Sequence, residues 1–234
     1  MKIWDLVKTL LISIPVLLAT SSLSEDFIYN SDLSGSWYPS DPQKLKDEIA
    51  RTSVQPERQV KNDTTAEAII LPHAAYVYSG KTAQKAITLL SKHYETVIII
   101  GPSHRTTMSQ RISVPIFDYY STPLGKIKLD TEKAQKLLQS SPIFQNDLNA
   151  LKNEHSVQIQ VPLFQFNRVV GENQKIIFLI TGQMSQDVMR EAATKIREIM
   201  TDTTLLIIST DFTHFGTRFG YTPFEDSVSD KIKE

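Results

Sequence analysis

The sequence predicts an α/β fold, with helices layered on a partly parallel sheet, on three observations. Short β-rich runs of continuous apolar character recur: Ala68 to Leu71, Val97 to Ile100, Lys175 to Ile180 and Thr204 to Ile208. They are too short for helices and read as strands buried on both faces. Segments with helical spacing alternate with them, as strand–helix–strand units do. Three of the runs end in polar turn residues followed by histidine: Leu-Pro-His73, Gly-Pro-Ser-His104 and Ser-Thr-Asp211-Phe-Thr-His214.

Taken in order, residues 1–26 read apart from the rest. Lys2 and Lys8 flank a polar start, Leu10 to Ala19 is apolar, and small polar residues follow. This is the layout of a signal peptide with Ala19-Thr20-Ser21 as the expected cleavage site, the alternative being an uncleaved N-terminal anchor. The first reading predicts export, periplasmic or secreted; without it the protein would be cytoplasmic. The domain proper is expected over residues 32–234, opening on Leu33-Ser34-Gly35-Ser36-Trp37-Tyr38-Pro39. Ser40 or Asp41 caps a helix from about Gln43 to Arg51, with Pro42 suited to its first turn. Residues 54–65 are polar and non-periodic, a loop. After the first apolar run, Ala83, Ala86, Ile87 and Leu90 share one face and predict a helix over Lys81 to His93.

Arg111 to Ile116 reads as a strand, Asp118 to Gly125 as a turn, and Lys126 to Leu129 as a short hairpin-like strand. Asp130 caps a helix over Thr131 to Gln139. From Val157 to Phe164, helical and extended readings stay open. Ser185 to Met200 is amphipathic, with Val188, Met189, Ala192, Ile196 and Ile199 on one stripe.

The totals bound the chemistry. Lys plus Arg number 25 against 26 Asp plus Glu, for a net charge of −1, with no basic block, which argues against nucleic acid as the main partner. There is no cysteine, so disulfides, thiolate metal sites and a cysteine nucleophile are excluded in this chain. Only five histidines exist, so their positions are informative.

His73 and His104 each follow a buried strand, at the sheet edge where α/β proteins bind ligands. Parallel neighbouring strands would set them side by side, and Gly80 and Gly101 would allow close backbone approach. Two imidazoles so placed suggest a metal or acid–base site. Asp211 and His214 share a strand-to-loop junction, where the carboxylate can orient the imidazole. Glu154 and His155 form a third acid–imidazole pair, with an N-terminal capping role competing for Glu154. His93, after a helix, reads as structural or solvated, and the loop tyrosines as packing or pocket lining. Two histidines and a carboxylate suit non-haem Fe(II), with zinc the chief competitor. Ser103 or Ser209 as a nucleophile lacks the G-x-S-x-G elbow.

GSWYP, LPHAAYVYSG, GPSH, the PLG turn, NEHSVQIQVP and STDFTHFG occur in the order seen in the Memo-like family, whose microbial members are called AmmeMemoRadiSam system protein B. The chain resembles that family over roughly Leu33 to Tyr221. The resemblance implies a three-layer α/β/α sandwich with a mixed, partly parallel sheet, like the LigB-type class III extradiol dioxygenases. It implies His73 and His104 as metal ligands and His155, Asp211 and His214 as catalytic pocket residues, with His155 or His214 moving protons. It further implies Fe(II), with copper or zinc as alternatives, redox chemistry on a small-molecule or peptide ligand, and a functional link to AMMECR-type and radical SAM proteins. A further cysteine ligand, usual in the family from a later strand, has no counterpart here. The domain is therefore expected to lack its C-terminal part or to complete its site otherwise, through Asp211 or His214. The competing expectation is a non-catalytic module taking an anionic or phosphotyrosine peptide in the same cleft.

Overall fold

The computed structural model describes residues 25–53, 66–90, 93–224 and 228–231. The expected export signal and the polar loop at 54–65 lie essentially outside these. In chain order the elements are β1 (Ile28–Asn30), α1 (Pro42–Thr52), β2 (Ala68–Leu71), α2 (Tyr76–Ile87) and β3 (Thr96–Pro102). Then come β4 (Ile112–Ser113), β5 (Tyr119–Thr122), β6 (Gly125–Leu129), α3 (Thr131–Ser140) and β7 (Phe144–Gln145). The rest are α4 (His155–Gln158), α5 (Gln160–Phe166), β8 (Lys175–Thr181), α6 (Gln186–Ile199), β9 (Thr204–Ser209) and α7 (Val228–Lys231). No helix among the described residues is long and apolar enough to cross a membrane.

The strands form one mixed, mostly parallel sheet in the order β1-β5-β6-β8-β3-β9-β2, with β4 and β7 attached beside β8. The contacts β8–β3, β3–β9 and β9–β2 are all parallel, while β5–β6 and β4–β8 are antiparallel. Alternation in the central strands explains why their sequences are apolar throughout. Val97, Ile99, Ile176, Phe178 and Ile180 point into one core, with Leu45 and Ile49 of α1, Ala83 and Ile87 of α2, and Val161 and Phe164 of α5. Ile98, Ile177 and Leu179 point into the other, with Ala134 and Leu137 of α3 and Ala192 and Ile196 of α6. Helices thus cover both faces, the three-layer arrangement that parallel strands need.

Caps mark the helix starts as the residues suggest. Asp41, Asp130 and Ser185 accept from Lys44 N, Lys133 N and Val188 N. The segment left open at 157–164 is helical, and Pro162 falls in the first turn of α5, where its missing N–H costs nothing. Met189 leaves the expected stripe and is half exposed.

Four expectations need correction. The stretch Asp118 to Gly125, read as a turn, holds strand β5 at Tyr119–Thr122, which pairs with β1 and β6. The helix placed over Lys81 to His93 instead spans Tyr76–Ile87. Gly80 lies inside it, and a Cβ there would meet Thr52 Cγ2 at 2.7 Å, so the close approach expected of this glycine is that of α1 to α2. The strand read over Arg111 to Ile116 pairs only at Ile112 and Ser113. And β2 and β3 are not neighbours, since β9 inserts between them.

Candidate metal centre

The histidines nevertheless meet, because the loops after β2 and β3 converge over the carboxyl end of β9. His73, His104 and His155 each offer a ring nitrogen, and these atoms lie within 4.8 Å of one another. Ring centroids are 5.2 Å apart for His73–His104, 5.3 Å for His73–His155 and 4.3 Å for His104–His155. His155, expected among the proton-moving residues, therefore joins the two expected ligands.

His155 arrives from the first turn of α4, which packs against β3. Gly101 permits this: a Cβ there would lie 2.7 Å from Ser156 Oγ, and that hydroxyl donates to Pro102 O at 2.8 Å. The small residue before Pro102 brings α4 onto the strand end, as the sequence suggested for this glycine. The outer face of His155 is closed by Trp37, stacked at 4.5 Å and 16°.

Glu154 is the hub behind the cluster, and it is fully buried. Its Oε2 accepts the backbone N–H of His104 at 2.5 Å, while Oε1 lies 2.9 Å from His104 Nδ1 and accepts Ser156 N–H at 3.0 Å. The carboxylate thus caps α4 and grips His104 at once; the two roles weighed for it are not exclusive. An ionised carboxylate only accepts, so His104 Nδ1 carries the proton and Nε2 keeps its lone pair. Burial by itself would raise the Glu154 carboxyl, but the N–H donors of His104 and Ser156 outweigh it and hold it below the usual range.

His73 is held in the same way by a hydroxyl. Ser209 Oγ donates to Ser156 O, accepts from Gln160 Nε2 at 2.8 Å, and lies 3.4 Å from His73 Nδ1. Since the single Ser209 proton is committed to Ser156 O, His73 Nδ1–H must be the donor toward it, again leaving Nε2 free. Gln160 also donates to Pro72 O at 2.9 Å, fixing the turn from which His73 projects. Ser209, considered above only as a nucleophile, is a positioning group.

Asp211 borders the third side. Its Oδ1 accepts the backbone N–H of His73 at 3.0 Å, and Oδ2 stands 3.7 Å from His73 Nε2 and 3.3 Å from His214 Nε2. Burial pushes the Asp211 carboxyl up, but the His73 N–H and the neighbouring imidazoles more than offset this, so it stays ionised. His214 lies outside the cluster, half exposed, against Phe219. The sequence-derived pair of Asp211 and His214 is thus real, joined to the cluster through Asp211 alone.

Burial lowers the pKa of His73, and burial together with neighbouring His104 lowers that of His155 to about 4. Both rings are neutral at physiological pH, the form that binds metals. His155 Nδ1 is buried and makes no hydrogen bond among the described residues, with Glu154 Oε1 3.5 Å away. Three imidazoles whose ring nitrogens converge on one point, with His155 Nδ1 making no hydrogen bond among the described residues, fit a divalent metal ion.

The remaining candidates fall elsewhere. His93 precedes β3, at the opposite end of the sheet. Tyr76 and Tyr120 are core residues whose hydroxyls bond Ile159 O and Gln158 Oε1, while Tyr78 is solvent-exposed. Trp37 and Gln160 were not singled out for the site, and no spacing rule would have found them.

The family model described as Memo-like protein matches residues 30–234. A MEMO1 family protein of Thermococcus kodakarensis is 33% identical over 212 residues, covering 86% of this chain and 72% of its own. One from Methanopyrus kandleri is 31% identical over 194 residues, covering 78% and 68%. A third, from Schizosaccharomyces pombe, is 33% identical over 196 residues, covering 81% and 62%.

Proposed function

The chain belongs to the Memo-like protein family, and on that footing we propose that it is a metal-binding protein whose ion sits among His73, His104 and His155 and serves redox chemistry resembling that of the extradiol dioxygenases. The observation that carries this reading is the convergence of three imidazole nitrogens within 4.8 Å. A set of imidazoles beside a carboxylate suits Fe(II), copper or zinc; iron is the first choice by resemblance to the dioxygenases. When bound, the ion would supply Lewis acidity and, for iron or copper, electron transfer.

The protein's own part is to aim the ligands and handle protons. Glu154 and Ser209 hold His104 and His73 in the tautomers that present Nε2. Trp37 shields His155 from solvent on one face. His214 is exposed on one side and bonded to Asp211 on the other, so it can pass a proton between solvent and the cleft. Asp211, kept ionised, is a proton acceptor on the border of the cluster, beside both His73 and His214. We also propose export, on the charged, apolar and small-polar layout of residues 1–26; detection of the full-length chain only in the cytoplasmic fraction would remove that part.

The test is elemental analysis of anaerobically purified protein beside the His73→Ala/His104→Ala double mutant. Near-stoichiometric iron or copper that the mutant lacks would support the site. Wild-type protein that is empty and refuses added Fe(II) would sink it, and would favour a module that takes an anionic peptide in this cleft.

A further inference from the structure

A second hollow, of about 310 Å³, adjoins the cluster at His104, between the loop of residues 103–108 and the end of β8 at Thr181–Gln183. Besides the His104 imidazole, its polar lining includes hydroxyls, an amide and one guanidinium, from Ser103, Thr106, Thr107, Gln183 and Arg105, and no carboxylate. The loop is stitched in place: Ser103 Oγ donates to Thr106 O at 2.6 Å and accepts Thr106 N–H at 3.1 Å. Across the hollow, Gln183 N donates to Met108 O at 3.0 Å, and Gly182 passes so close that a Cβ would meet that carbonyl at 2.5 Å. The walls are therefore fixed to each other by backbone.

Within this frame the side chains of Arg105, Thr107 and Gln183 have no hydrogen bond or ion pair among the described residues. Glu154, the carboxylate that grips the adjacent His104, is buried and committed there, and no ion pair neutralises the guanidinium among the described residues. Its field reaches the cluster, where it is among the influences that disfavour protonation of His155.

We infer that this hollow is the subsite for a carboxylate of a small substrate, with Arg105 as its principal anchor and Thr107 and Gln183 as supporting donors. The guanidinium fork matches a carboxylate bidentately, which a lysine would not. The inference rests on the metal-site reading above for the other end of the substrate: the acid group is held beyond His104, and the reacting part is turned toward the three histidines. It makes Arg105 a specificity residue, selecting acids over neutral analogues of the same shape.

The experiment titrates the full metal-free chain with benzoate and with benzamide, which differ little in shape but much in charge, following backbone amide shifts by NMR. Benzoate is expected to bind at least about tenfold more tightly and to shift the Arg105, Thr107 and Gln183 signals. Arg105→Gln should erase the preference, and Arg105→Lys should keep only part of it. His73→Ala, which disables the metal cluster from its far side, should leave the preference intact, so a failure of the metal reading does not mimic a failure here. Equal binding of the two probes by wild type, or an unchanged preference in Arg105→Gln, would overturn the subsite. Tighter binding of inorganic phosphate than of benzoate would overturn the carboxylate assignment.

Discussion

Glu154→Gln tests the logic of the centre most sharply, because it changes one atom type and almost no volume. The carboxylate receives donors at both oxygens: His104 N–H on one side, His104 Nδ1–H and Ser156 N–H on the other. A carboxamide has one acceptor and one donor group, so one side must fail. If the amide nitrogen faces His104 Nδ1, that ring must accept there and carry its proton on Nε2, which removes the lone pair meant for the metal. If the oxygen stays there, an NH₂ group opposes the His104 N–H across a 2.5 Å contact and displaces the loop.

Bonds to a charged acceptor are worth about 1.5–3 kcal/mol each, and breaking a buried charged pair costs about 3–5 kcal/mol, while removing a buried charge returns part of that. The expected loss is about 2–4 kcal/mol of metal-free stability, read from urea midpoints. Altered orientation of a metal-binding histidine typically weakens affinity about 10–100-fold, which a chelator-competition titration with Zn(II) resolves easily. A variant with an unchanged urea midpoint and Zn(II) affinity within about twofold of wild type would refute the reasoning, since neither orientation of the amide satisfies all three donors.

Ser209→Ala should weaken Zn(II) binding by about tenfold and cost about 1–2 kcal/mol, because His73 Nδ1–H and the Gln160 amide lose their shared acceptor; unchanged affinity would show that the hydroxyl does not hold the His73 tautomer. Gly101→Ala should destabilise by about 1–3 kcal/mol by pressing a methyl group against Ser156, and metal uptake should fall with it as α4 and His155 move off the strand end; a melting temperature equal to wild type counts against that packing. For the metal-free protein, the folded pKa of His155 lies near 4, below the unfolded value, and that of His73 is lowered too. The unfolded chain therefore takes up protons first as pH falls, and stability should drop by about 2 kcal/mol from about pH 7 to about pH 5. Glu154 and Asp211, whose pKa values are lowered, add a further loss at more acid pH. Urea melts across this range check it, and a His155→Phe variant with an undiminished slope between those two pH values would contradict the assignment.

Much of the fold was legible because burial on both faces leaves a plain mark. Ile98 and Ile99 serve opposite cores, so β3 has no polar position from Val97 to Ile100 to blur its pattern, and β8 has none from Ile176 to Ile180. What did not show was order across the sheet. Nothing local distinguishes a strand that pairs with β3 from one that lies two places away, and β9, far along the chain, takes the place between them. Gly80 shows the same limit: its sequence suggests a close approach, but which element makes it stays hidden until the partner, here Thr52, is known.

The site divides along a similar line. Histidine is rare in this chain and costly to bury uncharged without a purpose, so His73, His104 and His155 drew attention from their positions alone. Their supports are Glu, Ser and Gln, common residues whose meaning depends on who faces them. Glu154 reads locally as a helix cap, and it is one; only the arrival of the loop after β3 turns its second oxygen into the grip on His104. Ser209 reads as the end of a buried strand, yet the meeting of α4 and α5 with that strand end commits its proton to Ser156 O and leaves it an acceptor for His73. The three histidines are thus written in the sequence, whereas the arrangement that turns their ring nitrogens toward one point is written in the packing of α4 and α5 against the sheet. A variant that keeps all three histidines but disturbs this packing should therefore lose metal nearly as well as one that removes a ligand.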